Sequence, residues 1–307
     1  MQLTLGDPFE GLKQESTGNI TTAIKVWQEN TKPKHPSDPI WQKADQGERY
    51  HSLLRLYKAP QGYLLKIDCE GKGSFKLSPE GIGIYWEQGG TGPAHYFQTL
   101  GLSLWLELQG IPCIHANGLA LKDKAIGIIA PSQTGKTTLT AALLESGFQM
   151  MSDDMMALHS RADQWMVYPG WPQFRMWPDT AKHYAGDDIN AFKRVHSRFD
   201  KRVVDLETNK KFEFCEQSRP LKHLVLLDRR ETETGDIEVD NMPPGEALLH
   251  LLQNSMLGDA YPALGIEQTR LQRLANLLEG VALNRISYPT GLSHLPRVCE
   301  RIKEISN

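Results

Sequence analysis

The alternation of hydrophobic and polar positions predicts a β-rich first part of the chain. From Tyr50 onward, short runs of alternating apolar residues end at Gly or Pro turns, namely HSLLRLYKA, YLLKIDCEG, GSFKLSPEG and GIYWEQ. This pattern is typical of an antiparallel meander. Residues 1–45 are instead mostly polar, and Pro33, Pro36 and Pro39 disfavour regular structure there.

The middle of the chain combines apolar segments with one loop of small residues. Residues 98–109 are apolar enough for a buried helix, and residues 113–121 are predicted to form a strand. A charged turn separates this strand from residues 125–129, a wholly apolar run typical of a strand buried on both faces. The sequence APSQTGKT, residues 130–137, follows directly.

A helix and a further strand come after this loop. The helix TLTAALLESG ends at Gly147, a residue type that is common just past helix C-termini. The next strand begins at Phe148 and leads into Ser152, Asp153 and Asp154. A strand, loop, helix and strand in this order predict a βαβ-type unit, in which helices cover a sheet.

The last third of the chain is predicted to be mainly helical. Residues 221–227 form one more apolar strand, but residues 245–257 and 266–283 have helical periodicity with a polar face. A final helix is predicted near residues 293–305. The chain is therefore expected to be an α/β protein in three parts: a β-rich N-terminal region (1–95), a central core (96–240) and a helical C-terminal part (241–307).

Composition changes this picture little. The net charge of −3 over 307 residues gives no electrostatic reason to expect binding to nucleic acid or an anionic membrane. The four cysteines are scattered and form no CxxC pair, which disfavours a disulfide scaffold or structural zinc site and fits a reducing cytosol. The N-terminus lacks the layout of a signal peptide, so we expect a cytoplasmic protein that does not enter the membrane.

Residues 130–137 have the composition of a phosphate-binding loop and are called the candidate phosphate loop below. Such loops aim consecutive backbone N–H groups at phosphate oxygens, beside the positive end of a helix dipole. The Lys136 ammonium would reach the β- and γ-phosphates, and the Thr137 hydroxyl would ligate Mg²⁺. Ala130 replaces the usual first Gly and tolerates positive φ poorly, so that position is either not left-handed or slightly distorted. The residues expected to contact ATP are Ser132, Gln133, Thr134, Gly135, Lys136, Thr137 and Thr138.

Two adjacent carboxylates, Asp153 and Asp154, end the strand after this helix. Ligands of open parallel α/β sheets lie just outside the carboxyl ends of strands. One carboxylate there would accept the proton of an attacking hydroxyl while the other helps to hold Mg²⁺. Thr137 and Asp154 are the candidate metal ligands, although the sequence leaves open which aspartate is the base and which supports the metal. The alternative is that both aspartates only open a turn.

These features together resemble the HPr serine kinase/phosphorylase family. The resemblance covers residues 114–158, in which His115 precedes the candidate phosphate loop, and Gly147-Phe148 and Asp153-Asp154 follow it. Further on, the run PGWPQFRMWPD is similar to a segment of divergent HPr-kinase-related proteins, including kinases that phosphorylate ribosomally made precursor peptides.

The resemblance implies that the central core (96–240) is a P-loop nucleotide-binding kinase core of the HPr kinase/PEP carboxykinase-like type. It implies phosphorylation of a Ser- or Thr-like hydroxyl on a peptide or protein, with ATP and Mg²⁺ as cofactors. Lys201 would hold ATP or the transferred phosphate. HPr kinases are hexameric, so the resemblance also suggests a homo-oligomer. The candidate catalytic residues are Asp153, Asp154, His115, Lys136 and Arg175.

Several alternatives stay open. A His on an apolar strand is often a hydrogen-bonded core residue, which is the other interpretation of His115. The prolines around Arg175 predict an irregular loop, in which Arg175 either contacts phosphate or pairs with Asp179. Lys201 lies in a basic stretch that would otherwise be a solvated face or a docking site for an acidic peptide. In function, a small-molecule kinase and a non-catalytic nucleotide-binding regulator are the alternatives.

Overall fold

A computed structural model of the chain describes residues 2–5, 23–46, 51–131, 134–186, 188–196 and 199–306. These residues form two compact units. The first comprises Met1–Gly110 with Val195–Asp200 and Met256–Gln268, and the second comprises Ile111–Arg194, Lys201–Ser255 and Thr269–Asn307. Within the described residues, every helix is too short or too polar to span a lipid bilayer.

Most of the strands of the first unit pair with their neighbours in sequence. The strands are β1 (Gln2–Leu5), β2 (Ala23–Gln28), β3 (Trp41–Gln46), β4 (His51–Ala59), β5 (Gly62–Asp68), β6 (Lys72–Ser78) and β7 (Gly81–Trp86). They form one seven-stranded sheet in the order β1-β2-β7-β6-β5-β4-β3. The run from β3 to β7 is antiparallel throughout, so the predicted meander is confirmed.

The expectation of irregular structure in residues 1–45 is wrong for the strands β1, β2 and β3. β2 pairs in parallel with β7, and Ile24 and Val26 alternate into the core at 1% and 2% exposure. This pairing joins residues far apart in the sequence, so the local polar composition did not reveal it. The predicted helix at 98–109 is confirmed by a π-helical turn (Phe97–Gly101) that continues into α2 (Leu102–Leu108). The short helix α1 (Pro93–Tyr96), which was not predicted, precedes them.

The second unit contains the elements around the candidate phosphate loop. Its strands are β8 (Cys113–Ile114), β9 (Ala116–Leu121), β10 (Lys124–Ile129), β11 (Gln149–Ser152), β12 (Met156–Arg161), β13 (Gln164–Val167), β14 (Gln173–Met176), β15 (Lys193–His196), β16 (Phe199–Asp205), β17 (Arg219–Arg230), β18 (Glu238–Asn241) and β19 (Ala282–Pro289). The end of β15 and the start of β16 are grouped with the first unit. Its helices are α3 (Lys136–Glu145), α4 (Pro178–Tyr184), α5 (Pro244–Gln253), α7 (Glu267–Gly280) and α8 (Leu295–Ser306), while the short α6 (Tyr261–Leu264) belongs to the first unit.

The main sheet of this unit has a parallel centre. β10, β17 and β19 run parallel to one another in adjacent positions. β9 lies antiparallel between β10 and β11, so the predicted strand–helix–strand unit is present with one strand inserted. α3, α4 and α8 pack on one face of the sheet, and α5 and α7 pack on the other. Because β10, β17 and β19 are parallel, their carboxyl ends lie at the same edge of the sheet.

Three predictions about the elements need correction. The predicted strand at 113–121 breaks at His115, whose N–H donates to the carbonyl of Asn254. The run around Arg175 is not wholly irregular, because β14 pairs antiparallel with β16. The C-terminal part is not wholly helical, because the predicted helix at 266–283 ends at Gly280 and the strand β19 follows it. β19 pairs with β17, about 60 residues earlier in the chain, and that partner is invisible to a local pattern.

Candidate active site

The candidate phosphate loop joins the carboxyl end of β10 to the start of α3. Gly135 precedes the helix with φ of 97°, a left-handed conformation that glycine adopts without steric cost. The Thr134 hydroxyl donates to the carbonyl of Pro131 at 2.7 Å, which closes the turn before the helix. Ala130 is buried in the core and has a negative φ, so its Cβ is not strained in this loop. Ser132 and Gln133 lie outside the described residues.

Asp154 occupies a strained position just beyond β11. Its φ is 63°, in the left-handed region that Asp enters more readily than most residues. Its backbone N–H donates to Oδ1 of Asn117 at 3.0 Å, and Nδ2 of Asn117 donates to the Thr140 hydroxyl at 3.0 Å. Asn117 is on β9 and Thr140 is on α3, so one buried amide ties the aspartate loop to the helix of the candidate phosphate loop.

Three nitrogen-bearing side chains converge on the carboxylate of Asp154. Lys136 Nζ lies 3.3 Å from Oδ1, and His115 Nε2 lies 3.6 Å from the same atom. Arg175 Nη1 lies 3.6 Å from Oδ2. His115 exposes 43% of its side chain, whereas Lys136 exposes 11% and Arg175 only 4%. The site is therefore accessible to solvent at His115, whereas the cationic side chains of Lys136 and Arg175 are largely buried.

Asp153 lies deeper than its neighbour, with 5% of its side chain exposed. Its Oδ2 accepts the backbone N–H of Arg175 at 2.9 Å and lies 3.9 Å from Nη1 of the same residue. Because β14 is held by β16, Arg175 presents both its backbone and its guanidinium to the aspartate pair. The segment that the prolines led us to expect as a loop is a short strand at this point.

The surroundings shift the pKa values of the two carboxylates in opposite directions. Burial, with the charge of Asp154 adding to it, raises the pKa of Asp153 to about 7. Burial alone would also raise the pKa of Asp154, but the His115 imidazole and the cations Lys136, Lys201 and Arg175 outweigh it and hold this pKa well below its usual range. At neutral pH, Asp154 is therefore a fixed negative charge and Asp153 is poised to gain or lose a proton.

The remaining predicted residues lie around this centre. Lys201 Nζ lies 5.6 Å from the ring centroid of Trp177. Its charge contributes to the lowered pKa of Asp154 and partly opposes the rise in the pKa of Asp153. The Thr138 hydroxyl makes a 3.1 Å hydrogen bond with the hydroxyl of Thr180 on α4, so it is occupied within the protein. Thr137 lies in the first turn of α3.

Three further residues were not singled out from the sequence. Asn117 is the one polar residue in the strand ANGLAL, and that interruption of an apolar strand was the available signal. Arg229 and Tyr288 lie at the carboxyl ends of β17 and β19, beside Gly135. Their proximity depends on strand pairing between distant segments, so the sequence offered no comparable signal.

Comparisons with known proteins find a similarity to solved structures. No protein-family model matches the chain, and a search of curated proteins finds no match. Among solved structures, the Hpr(Ser) kinase/phosphatase from Coxiella burnetii is similar with 13% sequence identity and a TM-score of 0.35. The similarity covers 64% of this chain and 99% of that one.

Proposed function

We propose that this protein transfers the terminal phosphoryl group of ATP to a Ser- or Thr-like hydroxyl of a peptide or protein. The observation that carries the proposal is the convergence of Lys136, His115 and Arg175 on Asp154, beside the start of α3. Each contributes a nitrogen 3.3–3.6 Å from a carboxylate oxygen. Such a concentration of donors and charge suits phosphoryl transfer, which enzymes catalyse mainly by positioning and electrostatic stabilisation.

The start of α3 and Lys136 would bind the β- and γ-phosphates. The first N–H groups of a helix have no partner within it, and they point towards the ligand together with the positive end of the helix dipole. An ammonium group has three donors, and the contact with Asp154 uses one of them. Among the described residues, Asp154 is the hydrogen-bond partner of Lys136, so the other donors of Lys136 would serve phosphate oxygens.

Thr137 and Asp154 are the residues that would hold Mg²⁺. In phosphate-transfer sites this ion takes one or two protein oxygens and completes its shell with water and phosphate. Asp154 stays ionised because its pKa is lowered, and Thr137 supplies a hydroxyl in the first turn of α3, so this donor set fits the ion. When bound, Mg²⁺ would neutralise the charge that develops on the phosphates.

Asp154 would orient the acceptor hydroxyl, and the Asp153–Asp154 pair would take its proton. Asp154 exposes 21% of its side chain against 5% for Asp153, so an incoming oxygen meets Asp154 first. The hydroxyl oxygen forms a bond to the γ-phosphorus, the bond from that phosphorus to the bridging oxygen breaks, and ADP leaves. The proton passes to the carboxylate pair, where Asp153 can hold it near neutral pH.

Two features support a peptide or protein as acceptor. The exposed face of His115 and the partly exposed Asp154 form an open mouth that a side chain of a macromolecule can enter. The run PGWPQFRMWPD resembles the corresponding segment of kinases that act on precursor peptides.

All four cysteines are in the described part of the chain and none is in a disulfide, which supports placing the reaction in the reducing cytoplasm.

The test is incubation with Mg·ATP and candidate peptide and protein acceptors, followed by mass spectrometry for added phosphate. We expect Asp154→Asn and Lys136→Ala to slow transfer by about 100-fold or more. Asn tolerates the left-handed backbone of position 154, so the first variant removes charge without adding strain. Lys222→Gln is the matched control, because Lys222 is an exposed cation at the far end of β17.

Other outcomes would redirect the proposal. Phosphorylated amino acids or sugars without any phosphorylated peptide would identify a small-molecule kinase. Nucleotide binding without turnover, together with an Asp154→Asn protein that still functions in cells, would identify a non-catalytic regulator.

A further inference from the structure

A second guanidinium lies beside the candidate phosphate loop, on the side away from the aspartates. A methyl group placed on the α-carbon of Gly135 would lie 3.4 Å from Nη1 of Arg229 and 3.7 Å from the hydroxyl of Tyr288. Arg229 is exposed, whereas Tyr288 is 2% exposed, and the two residues are register partners on β17 and β19. A cation and a hydroxyl thus border the left-handed glycine that opens α3.

The strand order sets two opposite sides of the loop. β10 leads into the candidate phosphate loop and lies between β9 and β17. The β9 and β11 side carries Asn117 and Asp154, together with the cations that contact Asp154. The β17 and β19 side carries Arg229 and Tyr288. A phosphate chain lying along the loop therefore meets the aspartates at one end and Arg229 at the other.

We propose that Arg229 binds the diphosphate portion of ATP, the part that is retained in ADP, and that Tyr288 positions it. This inference rests on the proposed function, because it assumes that the transferred phosphate faces Asp154. Guanidinium groups suit this role since their planar donors match two phosphate oxygens at once. Tyr288 is a neutral donor at working pH, because burial raises its pKa to about 12. The nucleoside then lies towards β19 and the acceptor towards β11.

Calorimetric titration of the folded protein with Mg·ADP and Mg·ATP distinguishes the role of Arg229 and Tyr288 from that of Asp154. Arg229→Gln should weaken binding of both nucleotides by about 10- to 100-fold, the loss expected for charge-assisted hydrogen bonds to phosphate. Tyr288→Phe should weaken ADP binding less than Arg229→Gln does, since it removes a positioning hydroxyl only. In a parallel titration with ADP in the absence of Mg²⁺, Asp154→Asn should bind within about threefold of the wild type, because this residue acts on the metal, the terminal phosphate and the acceptor rather than on the diphosphate itself.

Lys222→Gln serves again as the charge-matched control on the same strand and should bind ADP as the wild type does. The inference is overturned if folded Arg229→Gln binds ADP as tightly as the wild type, or if the wild type does not bind ADP. It is also overturned if Arg229→Gln weakens ATP binding but spares ADP binding, since Arg229 would then contact the transferred phosphate. A wild type that binds ADP through Arg229 but never transfers phosphate would refute the proposed function and leave this assignment standing.

Discussion

Asp153 and Asp154 are neighbours in the chain, but their surroundings shift their pKa values in opposite directions. Asp153 is buried next to a second carboxylate, whereas Asp154 lies among Lys136, His115 and Arg175. One carboxylate stays ionised while the other can hold a proton near pH 7. Carboxylates whose environments separate their pKa values in this way are common in active sites, where they take different roles.

The raised pKa of Asp153 has a consequence for stability. Between about pH 4 and pH 7 the folded protein binds this proton more tightly than the unfolded chain does, so ionising Asp153 lowers the free energy of unfolding as pH rises. Asp153→Asn removes this loss. We expect the stability of the variant relative to wild type to grow by at least about 1 kcal/mol from pH 4.5 to pH 7 in urea unfolding. A difference that stays constant or shrinks over this range would contradict the assigned environment.

Asn117 is expected to hold the aspartate loop to α3. Asn117→Ala removes the acceptor of the Asp154 N–H and the donor to Thr140, in a position that is 1% exposed. Unfolding should become easier by about 1–3 kcal/mol, because buried polar groups lose their partners. Asn276→Ala on the exposed face of α7 is the control and should change stability by less than about 0.5 kcal/mol. Equal effects of the two variants in urea titrations would refute this role for Asn117.

At the residue scale, the sequence pointed to those site residues that lie near one another along the chain. Lys136 and Asp154 are joined by one helix and one strand, so a βαβ pattern brings them together. Arg175 was a candidate whose partner was undecided, and the structure directs it to Asp153 and Asp154. Arg229 could not be inferred, because its distance from Gly135 depends on the pairing of β10 with β17.

Among the elements, α3 carries Lys136 and Thr137 of the candidate site and is anchored by its packing in the core. Leu143 on its inner face is fully buried in the core on that side of the sheet. Leu143→Ala should cost about 2–5 kcal/mol of unfolding free energy, from lost burial and the remaining cavity. Leu271→Ala, at 41% exposure on α7, is the control and should change stability by less than about 0.5 kcal/mol. A loss below about 1 kcal/mol for Leu143→Ala in chemical denaturation would contradict the packing described.

Elements were predictable where their pattern was local. The strand β10, the helix α3 and its end at Gly147 were all predicted from apolar spacing and a C-terminal glycine. The strand β19 was not predicted, because its first residues continue the apolar positions of the preceding helix. Its pairing partner β17 is also distant in the sequence. Parallel strands pair across long connections, so their placement is a property of the whole sheet rather than of a short segment.

At the scale of the whole molecule, the mixed α/β architecture is confirmed, and nucleotide binding is expected to stabilise it. A ligand that binds only the folded state at 100 times its dissociation constant adds about 2.7 kcal/mol to the free energy of unfolding. We therefore expect saturating Mg·ADP to raise the melting temperature of the wild type in scanning calorimetry. Lys136→Ala should show a much smaller shift. Equal shifts for both proteins would mean that nucleotide binds away from the candidate phosphate loop.

Phosphoryl transfer by this protein can be measured in a single-turnover experiment with ATP labelled at the γ-phosphate and protein in excess. We expect the wild type to move the label from ATP to an acceptor hydroxyl, including water where no better acceptor is present. Asp154→Asn should bind ADP in the absence of Mg²⁺ with similar affinity and transfer the label at least about 100-fold more slowly. Label transfer at the same rate by both proteins, or none by a wild type that binds ATP in the presence of candidate acceptors, would contradict the proposed kinase activity.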